Sequence, residues 1–268
     1  KENWYCRWCP SLGELEGTAE QVWGTPKYEY KKHKKQNLIQ FGCYDLRDYL
    51  AVWRHKGRTV ILWAGSDILK LKNGFVFNNG KLTWLSKLLR GNWWVLKILK
   101  KAEHWTENEK EAIELNKLGL GVAGVCPSFV GNVNNFKVEY KWNKNPNVYV
   151  SASEGRQEEY GFEIVEIIAK RLPDFKFHLY GAEWLTTQTN ILVHGRVPKE
   201  QMNEEIKNYQ VGLRLNEFDG FSEILAKAVL MGQYAIGKVE HLLIPTFKDE
   251  EELVKELEKI RNYRMPNK

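Results

Sequence analysis

Residues 211–237 read VGLRLNEFDGFSEILAKAVLMGQYAIG and decide how the rest of the chain is interpreted. The opening run, Val211–Leu215, is apolar and partly β-branched, which predicts a buried strand. Asn216–Phe221 interrupts that run with an Asp-Gly pair and is interpreted as a loop. Ser222 stands where a helix N-cap is expected, and apolar residues follow it at helical spacing. A further strand is predicted over Tyr234–Gly237, so the stretch reads as strand, acidic loop, helix and strand.

The start of the predicted helix has a chemistry of its own. The first amides of a helix lack partners inside the helix and carry partial positive charge, so a phosphate group fits there. Asp219 lies just before the helix and can accept hydrogen bonds from sugar hydroxyls. The motif alone is equally typical of an ordinary strand–helix–strand unit with a polar loop.

The residues of this loop resemble the nucleotide-sugar loop of GT-B glycosyltransferases, especially the retaining family 4 (glycosyl transferases group 1). That loop reads Glu-Gly-Phe-Gly and, four residues later, Glu-Ala, whereas this chain has Asp219-Gly220-Phe221-Ser222 and then Lys227-Ala228. The resemblance implies that Asp219 is a catalytic residue that contacts the transferred sugar. It also implies a set of donor-binding residues: Gly220, Phe221, Ser222, Glu223 and Lys227.

Lys227 departs from the family pattern, and two interpretations of it stay open. The family's glutamate at this place contacts the nucleotide ribose, but an ammonium group only donates hydrogen bonds and cannot accept them from ribose hydroxyls. Lys227 can instead add positive charge near a diphosphate. In the other interpretation, Lys227 lies on the solvent side of the helix and the ribose contact is absent.

The resemblance also points to the first loop of the second domain. The family usually supplies an arginine and a lysine there; this chain has Arg156, and Tyr160-Gly161 stands where Lys-Gly is usual. Arg196 and Arg214 are alternative ligands of the diphosphate. Positive groups and helix amides can stabilise a leaving nucleoside diphosphate without a metal ion. The sequence contains no Asp-x-Asp pair, which disfavours a metal-dependent GT-A mechanism.

An apolar run in the first half, Thr59–Ala64, predicts a strand that is buried on both faces of a parallel sheet. The segment WAGSD at its end resembles the family's W-x-G-T/S-D signature at the interdomain cleft. Ligands of open α/β sheets gather at the carboxyl ends of strands, which makes Asp67 a second catalytic candidate. The alternative is an aspartate that caps a helix. The expected acceptor-side residues are Gly65, Ser66 and, in the loop after the first predicted strand, Gly13.

Strands alternate with helices along the whole chain, which predicts an α/β protein with parallel sheets. The resemblance covers most of residues 37–260 and implies the GT-B architecture, two Rossmann-like domains with parallel sheets facing a cleft. We expect an acceptor-side domain over residues 1–135 and a nucleotide-sugar-binding domain over residues 136–268, with the last helix returning to the first domain. Thr106 and Glu109 predict a capping box for a helix over residues 108–118.

Positive charge is concentrated in the first half of the chain, where residues 1–140 hold 22 Lys and Arg against 14 Asp and Glu. Such a bias suggests an anionic partner, or only a solvated lysine-rich surface. Lys81–Lys101 combines lysines with tryptophans, a pattern typical of helices that lie on membranes. A core helix with a cationic outer face fits the same pattern. An anionic membrane surface is therefore one candidate partner, and nucleic acid is not expected.

Four cysteines are present, of which Cys6 and Cys9 form a C-x-x-C pair. A zinc site needs two further ligands, and His33 and Cys43 are weak candidates, so we expect free thiols, no metal and no cofactor. The sequence shows no signal peptide and no membrane-spanning run. These features indicate a cytoplasmic protein, with peripheral membrane association if the basic tryptophan-rich stretch binds lipid.

The resemblance implies a glycosyltransferase that moves a sugar from a nucleotide sugar to a glycan, lipid or protein acceptor, with retention and without metal. Two other classes fit the same fold. A GT-B epimerase of nucleotide sugars needs acidic and histidine groups, for which His104, His178 and His194 are available. A non-catalytic binding protein is favoured by Lys227 and Tyr160, which replace the glutamate and lysine usual in the family.

Overall fold

A computed structural model describes residues 3–10, 12, 18–73, 93–128, 131–242 and 244–267. Its contacts divide the chain into two units, Lys1–Asn132 with Asp219–Phe221, and Val133–Phe218 with Ser222–Lys268. Among the described residues, each unit contains a parallel sheet of five strands. The predicted α/β class with two parallel sheets is confirmed.

In the first unit the strands lie across the sheet in chain order. They are β1 (Trp4–Trp8), β2 (Asn37–Phe41), β3 (Thr59–Leu62), β4 (Glu103–Thr106) and β5 (Val122–Val125). The helices are α1 (Thr18–Trp23), α2 (Tyr30–His33), α3 (Leu46–Arg54), α4 (Ser66–Lys72), α5 (Trp93–Leu99) and α6 (Glu109–Lys117). Because the strand order follows the chain order, the described strands of this sheet contain no reversal.

The core of the first unit lies between the sheet and its helices. Ile61 of the central strand β3 and Trp63, which directly follows that strand, are completely buried. α3 packs against α5, and Val95 and Leu99 of α5 are completely buried. Apolar burial of this kind contributes roughly 25 cal/mol per Å² of surface removed from water.

The start of α6 differs from the sequence prediction. Asn108 caps this helix, since its side chain accepts a hydrogen bond from the Glu111 amide. The capping box predicted at Thr106 and Glu109 is wrong because Thr106 is the last residue of β4. The Thr106 hydroxyl is buried and has no hydrogen-bond partner within the described part of the chain.

The second unit has a different strand order. Its strands are β6 (Asn147–Ser151), β7 (Lys176–Tyr180), β8 (Ile191–Gly195), β9 (Val211–Arg214) and β10 (Tyr234–Gly237), arranged β10-β9-β6-β7-β8. Its helices are α7 (Phe162–Arg171), α8 (Lys199–Ile206), α9 (Glu223–Leu230) and α10 (Glu250–Ile260). After β6 the chain adds β7 and β8 on one side, and then β9 and β10 on the other. The strand order therefore reverses between β6 and β9.

The core of the second unit is apolar and continuous. It includes Phe162 of α7, Phe177 of β7 and Leu213 of β9, all completely buried. α10 packs against α7 and adds Leu253 and Leu257 to the same core. The strands β6, β7 and β9 are therefore held rigidly beneath the loops that leave their carboxyl ends.

Two sequence predictions fall partly or wholly outside the described residues. Gly13 is one of them, and the first part of the basic tryptophan-rich stretch, residues 81–92, is the other. The described part of that stretch contains α5, of which Val95, Ile98 and Leu99 are buried, as the core-helix alternative predicts. No helix among the described residues is long and apolar enough to cross a membrane.

Candidate functional site

The reversal of strand order in the second unit marks the edge at which a ligand is expected. In open α/β sheets, ligands bind at the carboxyl ends of the strands where the order reverses, because the adjoining loops run to opposite sides. Here that place is between the ends of β6 and β9. The loop after β6 leads to Gly161, and the loop after β9 begins at Leu215.

These two loops approach each other closely at Gly161. This residue has φ 76°, in the left-handed region, and it stands at the N-cap of α7. A Cβ atom added there would lie 2.5 Å from Leu215 Cβ. Glycine is therefore required at this position both for its backbone conformation and for the approach of Leu215.

Two arginines meet one aromatic ring at the same place. The guanidinium carbons of Arg156 and Arg214 lie 5.1 and 4.3 Å from the centre of the Tyr160 ring. Arg156 also donates from Nε to Glu159 Oε2 at 2.8 Å. The structure thus brings together Arg156, Tyr160, Gly161 and Arg214, all of which the sequence predicted as donor-binding residues. Guanidinium groups at a strand-order reversal suit an anionic ligand, with Arg214 as the main cation because Glu159 neutralises part of the charge of Arg156.

Asn216, which the sequence analysis missed, follows Leu215 in the same loop. Its side chain is buried, with 3% of the residue exposed, and its Oδ1 has no hydrogen-bond partner among the described residues. Leaving a buried polar group unpaired costs roughly 1–3 kcal/mol. An acceptor atom that lacks a partner at this edge is available to accept a hydrogen bond from a ligand. The sequence feature that could have identified Asn216 is its position directly after a predicted buried strand.

The start of α9 is built as predicted, but its lysine is not exposed. Ser222 caps the helix, with its Oγ accepting from the Ile224 amide at 3.2 Å. Glu223 Oε1 lies 2.7 Å from Lys199 Nζ and 3.1 Å from Lys227 Nζ. The Lys227 side chain is only 4% exposed, so the interpretation that placed it on the solvent side of the helix is wrong.

Charge neutralisation explains how Lys227 is accommodated. Burial lowers the pKa of Lys227, although the Glu223 carboxylate opposes that effect. Burial would raise the pKa of Glu223, but Lys227 and Lys199 outweigh it and hold that pKa below its usual value. The three side chains form one ion-paired group at the first turn of α9.

Arg196 is placed apart from the other predicted donor residues. It is exposed and directly follows β8, the edge strand of the second sheet. β7 lies between β8 and β6, so Arg196 is separated from the strand-order reversal by a whole strand.

In the first unit, Asp67 organises the loops at the carboxyl end of the sheet. It is completely buried, and its carboxylate accepts from the amides of Cys43 at 2.9 Å and Ala64 at 3.1 Å. Gly65 holds the N-cap position of α4, and the Asp67 carboxylate accepts from the Ile68 amide at 2.9 Å in the first turn, so Asp67 also stabilises the start of this helix, as the helix-capping alternative predicted. Burial raises the pKa of Asp67 to about 7, against the effect of these amides. The neighbouring Ser66 Oγ lies 3.0 Å from Tyr44 Oη.

Asp219–Phe221, predicted as the donor loop, belongs to the first unit and contacts residues within it. The Phe221 amide donates to Glu107 Oε2 at 2.7 Å, and Asn108 Nδ2 donates to the Asp219 carbonyl at 2.8 Å. A side chain at Gly220 would overlap Glu107 Oε2, and a Cβ atom at Gly65 would lie 2.6 Å from the Gly220 nitrogen. The two glycines therefore allow this loop to lie against Glu107.

Glu107 and Glu111 were not found by sequence reasoning. Glu111 Oε2 accepts from the Glu107 amide at 2.8 Å, and Ser128 Oγ donates to Glu107 Oε1. Glu111 Oε1 has no partner in the part of the chain that the structure describes. The sequence feature that could have identified Glu107 is its position: Asp67 and Glu107 follow the ends of the neighbouring parallel strands β3 and β4.

The protonation of these acids follows from their surroundings. Burial, with a contribution from Asp219 and Asp67, raises the pKa of Glu107 to about 8 in spite of the bonds from Ser128 and Phe221. Burial and the neighbouring Glu107 raise the pKa of Glu111 to about 9. Both side chains therefore keep their protons near neutral pH and can act as hydrogen-bond donors.

Comparison with known proteins rests on structure, since no family model and no curated protein matches the sequence. A mutant of S. aureus TarM, solved with fondaparinux, alpha-GlcNAc-glycerol and UDP, is 10% identical with a TM-score of 0.56, over 88% of this chain and 51% of that one. Anabaena HepE, solved with UDP and glucose, is 12% identical with a TM-score of 0.58, over 94% and 74% of the two chains. Sucrose-phosphate synthase from Thermosynechococcus elongatus is 12% identical with a TM-score of 0.56, over 94% and 68%.

The fold is GT-B. This chain spans about half the length of TarM. At these identities the similarity shows the fold alone, and membership of family 4 stays a prediction.

The histidines considered for a GT-B epimerase form hydrogen bonds with other residues of their own unit. His104 Nδ1 accepts from Trp63 Nε1 at 3.1 Å, its Nε2 lies 3.0 Å from the Leu99 carbonyl, and burial lowers its pKa to about 4. His178 Nδ1 lies 2.9 Å from His194 Nε2, and burial lowers the pKa of His178 to about 4. Both His104 and His178 are therefore neutral and hydrogen-bonded within the protein.

The C-x-x-C pair is buried as free thiols. Burial raises the pKa of Cys6 to about 12, and Cys9 and Cys43 are completely buried. Within the described ranges, no group of three or more His, Cys, Asp or Glu side chains is arranged to hold a metal ion. These thiols contribute to the core of the first unit.

Proposed function

We propose that this chain is a glycosyltransferase that moves a sugar from a nucleotide sugar to a glycan, lipid or protein acceptor. The observation that carries the proposal is the pair of arginines at the strand-order reversal of the second unit. Asn216 Oδ1, which has no hydrogen-bond partner in the described part of the chain, adds a buried acceptor to the loop after β9. The GT-B fold supports it, as does the presence of UDP in the solved structures of TarM and HepE.

The proposed mechanism stabilises the leaving nucleoside diphosphate. Arg156 and Arg214 bind the diphosphate oxygens, and the first amides of α9 add their partial positive charge. Lys227 and Lys199 neutralise Glu223, which would otherwise repel the diphosphate. In the family, the acid matched by Asp219 contacts the transferred sugar, and we assign that role to Asp219. Retention of configuration and independence of metal follow from the same resemblance.

A thermal-shift panel of UDP-, GDP-, ADP- and dTDP-sugars tests this function first. We expect one nucleotide class to raise the melting temperature, because a ligand that binds only the folded state stabilises it. The sugar nucleotide that binds is then assayed for transfer and hydrolysis. Asp219→Ala should lower turnover about tenfold or more, the effect of losing a hydrogen bond worth roughly 1–3 kcal/mol. A chain that binds none of these donors and hydrolyses none of them contradicts the proposal.

A non-catalytic nucleotide-sugar-binding protein is the second candidate. The specific observation that favours it is Lys227, which is ion-paired and buried where the family has its ribose-binding glutamate. Donor binding without transfer or hydrolysis, in the presence of a broad set of acceptors, would support this candidate over the first.

We further propose a cytoplasmic protein that associates peripherally with anionic membranes. The basic, tryptophan-rich composition of Lys81–Lys101 supports this proposal. Flotation with anionic vesicles should show association at low salt that weakens as salt is added. Absence of lipid association at low salt would overturn it.

A further inference from the structure

A pocket lies in the first unit, at the amino-terminal half of the sheet. Its volume is about 690 Å³, within the range of roughly 300–1,000 Å³ usual for small-ligand sites. Trp4 comes from the start of β1, Trp23 from the end of α1 and Trp105 from β4, while Ile39 and Val60 form part of its lining. Asp67 and Glu107 follow the opposite, carboxyl ends of the strands, so this pocket is separate from the acid cluster.

One carboxylate holds two of the three tryptophan rings of this pocket, Trp105 directly and Trp4 through Arg58. Trp105 Nε1 donates to Glu103 Oε1 at 2.8 Å, and Arg58 Nη2 donates to Glu103 Oε2 at 2.8 Å. The Arg58 guanidinium carbon lies 5.2 Å from the centre of the Trp4 ring. A Cβ atom added at Gly124 would lie 2.7 Å from Trp105, so the indole lies across β5 where that strand has no side chain.

This fixed arrangement suits one kind of ligand. Indole faces pack against the C–H faces of pyranose rings, while carboxylate and guanidinium groups exchange hydrogen bonds with hydroxyls. The charges of Arg58 and Glu103 cancel, so the pocket has no net attraction for phosphate or for an anionic lipid surface. The orientations of the Trp4 and Trp105 rings are set before a ligand binds, so less side-chain entropy is lost on binding.

We propose that this pocket binds a neutral oligosaccharide through Trp4, Trp23 and Trp105, with Glu103 and Arg58 as its polar contacts. The site does not depend on the proposed glycosyl transfer. Oligosaccharide binding and nucleotide-sugar binding are measured separately, so either proposal can fail alone.

Saturation-transfer NMR with cellohexaose, maltohexaose and chitohexaose tests the proposal on the full chain. At least one of these sugars should bind, with its ring C–H protons closest to the protein. Trp105→Leu should weaken the binding about tenfold or more, because the indole contact and the Glu103 hydrogen bond are both lost. Trp4→Leu is the second variant, since it leaves the Trp105–Glu103 bond intact.

Trp53→Leu is the matched control, because Trp53 is 56% exposed on α3 and does not line the pocket. It should leave oligosaccharide binding unchanged. The proposal is overturned if none of the three sugars binds at millimolar concentration, or if folded Trp4→Leu and Trp105→Leu bind as well as the natural chain. Preferential, salt-sensitive binding of a sulfated hexasaccharide would also overturn it, since a neutral ligand shows no such dependence.

Discussion

The carboxyl ends of the two sheets carry opposite chemistry. In the first unit, Asp67, Glu107 and Glu111 are buried there and hydrogen-bonded to loop amides. In the second unit, Arg156 and Arg214 meet over Tyr160 at the corresponding edge. An anionic nucleotide is therefore expected at the second sheet, while the acids of the first sheet suit a partner that exchanges hydrogen bonds with carboxyl groups.

Strand order accounts for part of this difference. Because β1–β5 lie in chain order, the loops after β3 and β4 are neighbours, and each contributes a buried acid. Between β6 and β9 the order reverses, so the adjoining loops leave toward opposite sides of the sheet. Both sheets are parallel, but they differ in where the loops at their carboxyl ends leave space for a ligand.

The largest effect that we expect concerns Gly161. Gly161→Ala should cost about 3 kcal/mol of unfolding free energy, because left-handed backbone strain costs about 1–2 kcal/mol and overpacking against Leu215 costs a similar amount. Gly155→Ala is the control, since Gly155 has φ 77° but nothing within 4 Å of an added Cβ atom. Urea denaturation measures both, and equal losses would contradict the close approach of the two loops.

Removing one arginine should weaken nucleotide binding by about tenfold or more, since a charge-assisted hydrogen bond contributes roughly 1.5–3 kcal/mol. Arg214→Ala is the test, with the dissociation constant of the bound nucleoside diphosphate measured by calorimetry. Arg47→Ala is the control, because Arg47 is exposed and paired with Asp45 in the first unit. If both variants bind equally well, the charge comparison between the two edges is wrong.

The acids of the first unit should make stability fall as pH rises. Glu111 has a pKa of about 9 in the folded protein, above its value in the unfolded chain of about 4.3. The folded state therefore holds the proton more tightly, and stability is lost between about pH 4 and pH 9 as this proton is removed. Glu111→Gln, which mimics the protonated acid, should melt several degrees higher than the natural chain at pH 9 and about equally at pH 5.

Glu114→Gln is the control for that experiment, on the same helix. Lys117 and Lys72 hydrogen-bond the Glu114 carboxylate and lower its pKa to about 2, so its contribution is lost only as the pH falls through acid values. This variant should leave the pH dependence of the melting temperature between pH 5 and pH 9 unchanged. A stability profile that Glu111→Gln leaves unchanged would show that the buried acid does not titrate as described.

The smallest expected effect concerns Lys227. Lys227→Ala should weaken binding of a nucleoside diphosphate about threefold and leave nucleoside binding unchanged, because Lys199 still neutralises part of the Glu223 charge. Lys227→Met preserves the packing of the buried stem and serves as the matched control for volume. Equal loss of both affinities would indicate a packing role only.

Sequence reasoning found the elements whose signals are local. The strand predicted over Val211–Leu215, observed over Val211–Arg214, follows from an apolar run, and the Ser222 cap follows from a capping residue before a helical pattern. Arg156 and Arg214 were predicted as donor-binding residues from the resemblance to the family, and the structure places both beside Tyr160; their role stays a prediction.

What the sequence could not show depends on contacts between distant residues. Glu107 and Glu111 became visible only when β3 and β4 were seen to be neighbours, and the burial of Lys227 depends on its pairing with Glu223. Thr106 and Asn108 are both good capping residues two positions apart. Because Thr106 is the last residue of β4, Asn108 is the residue that caps the helix.

Hydrogen–deuterium exchange tests the central claim most directly. The nucleoside diphosphate with the largest thermal shift is added to the natural chain and to Arg214→Ala. The account predicts slower exchange over residues 152–161 and 214–224 in the natural chain, and a much smaller change in the variant at the same concentration. Protection that is confined to residues 37–128, or that is identical in the variant, would contradict the assignment of the nucleotide site to the strand-order reversal of the second unit.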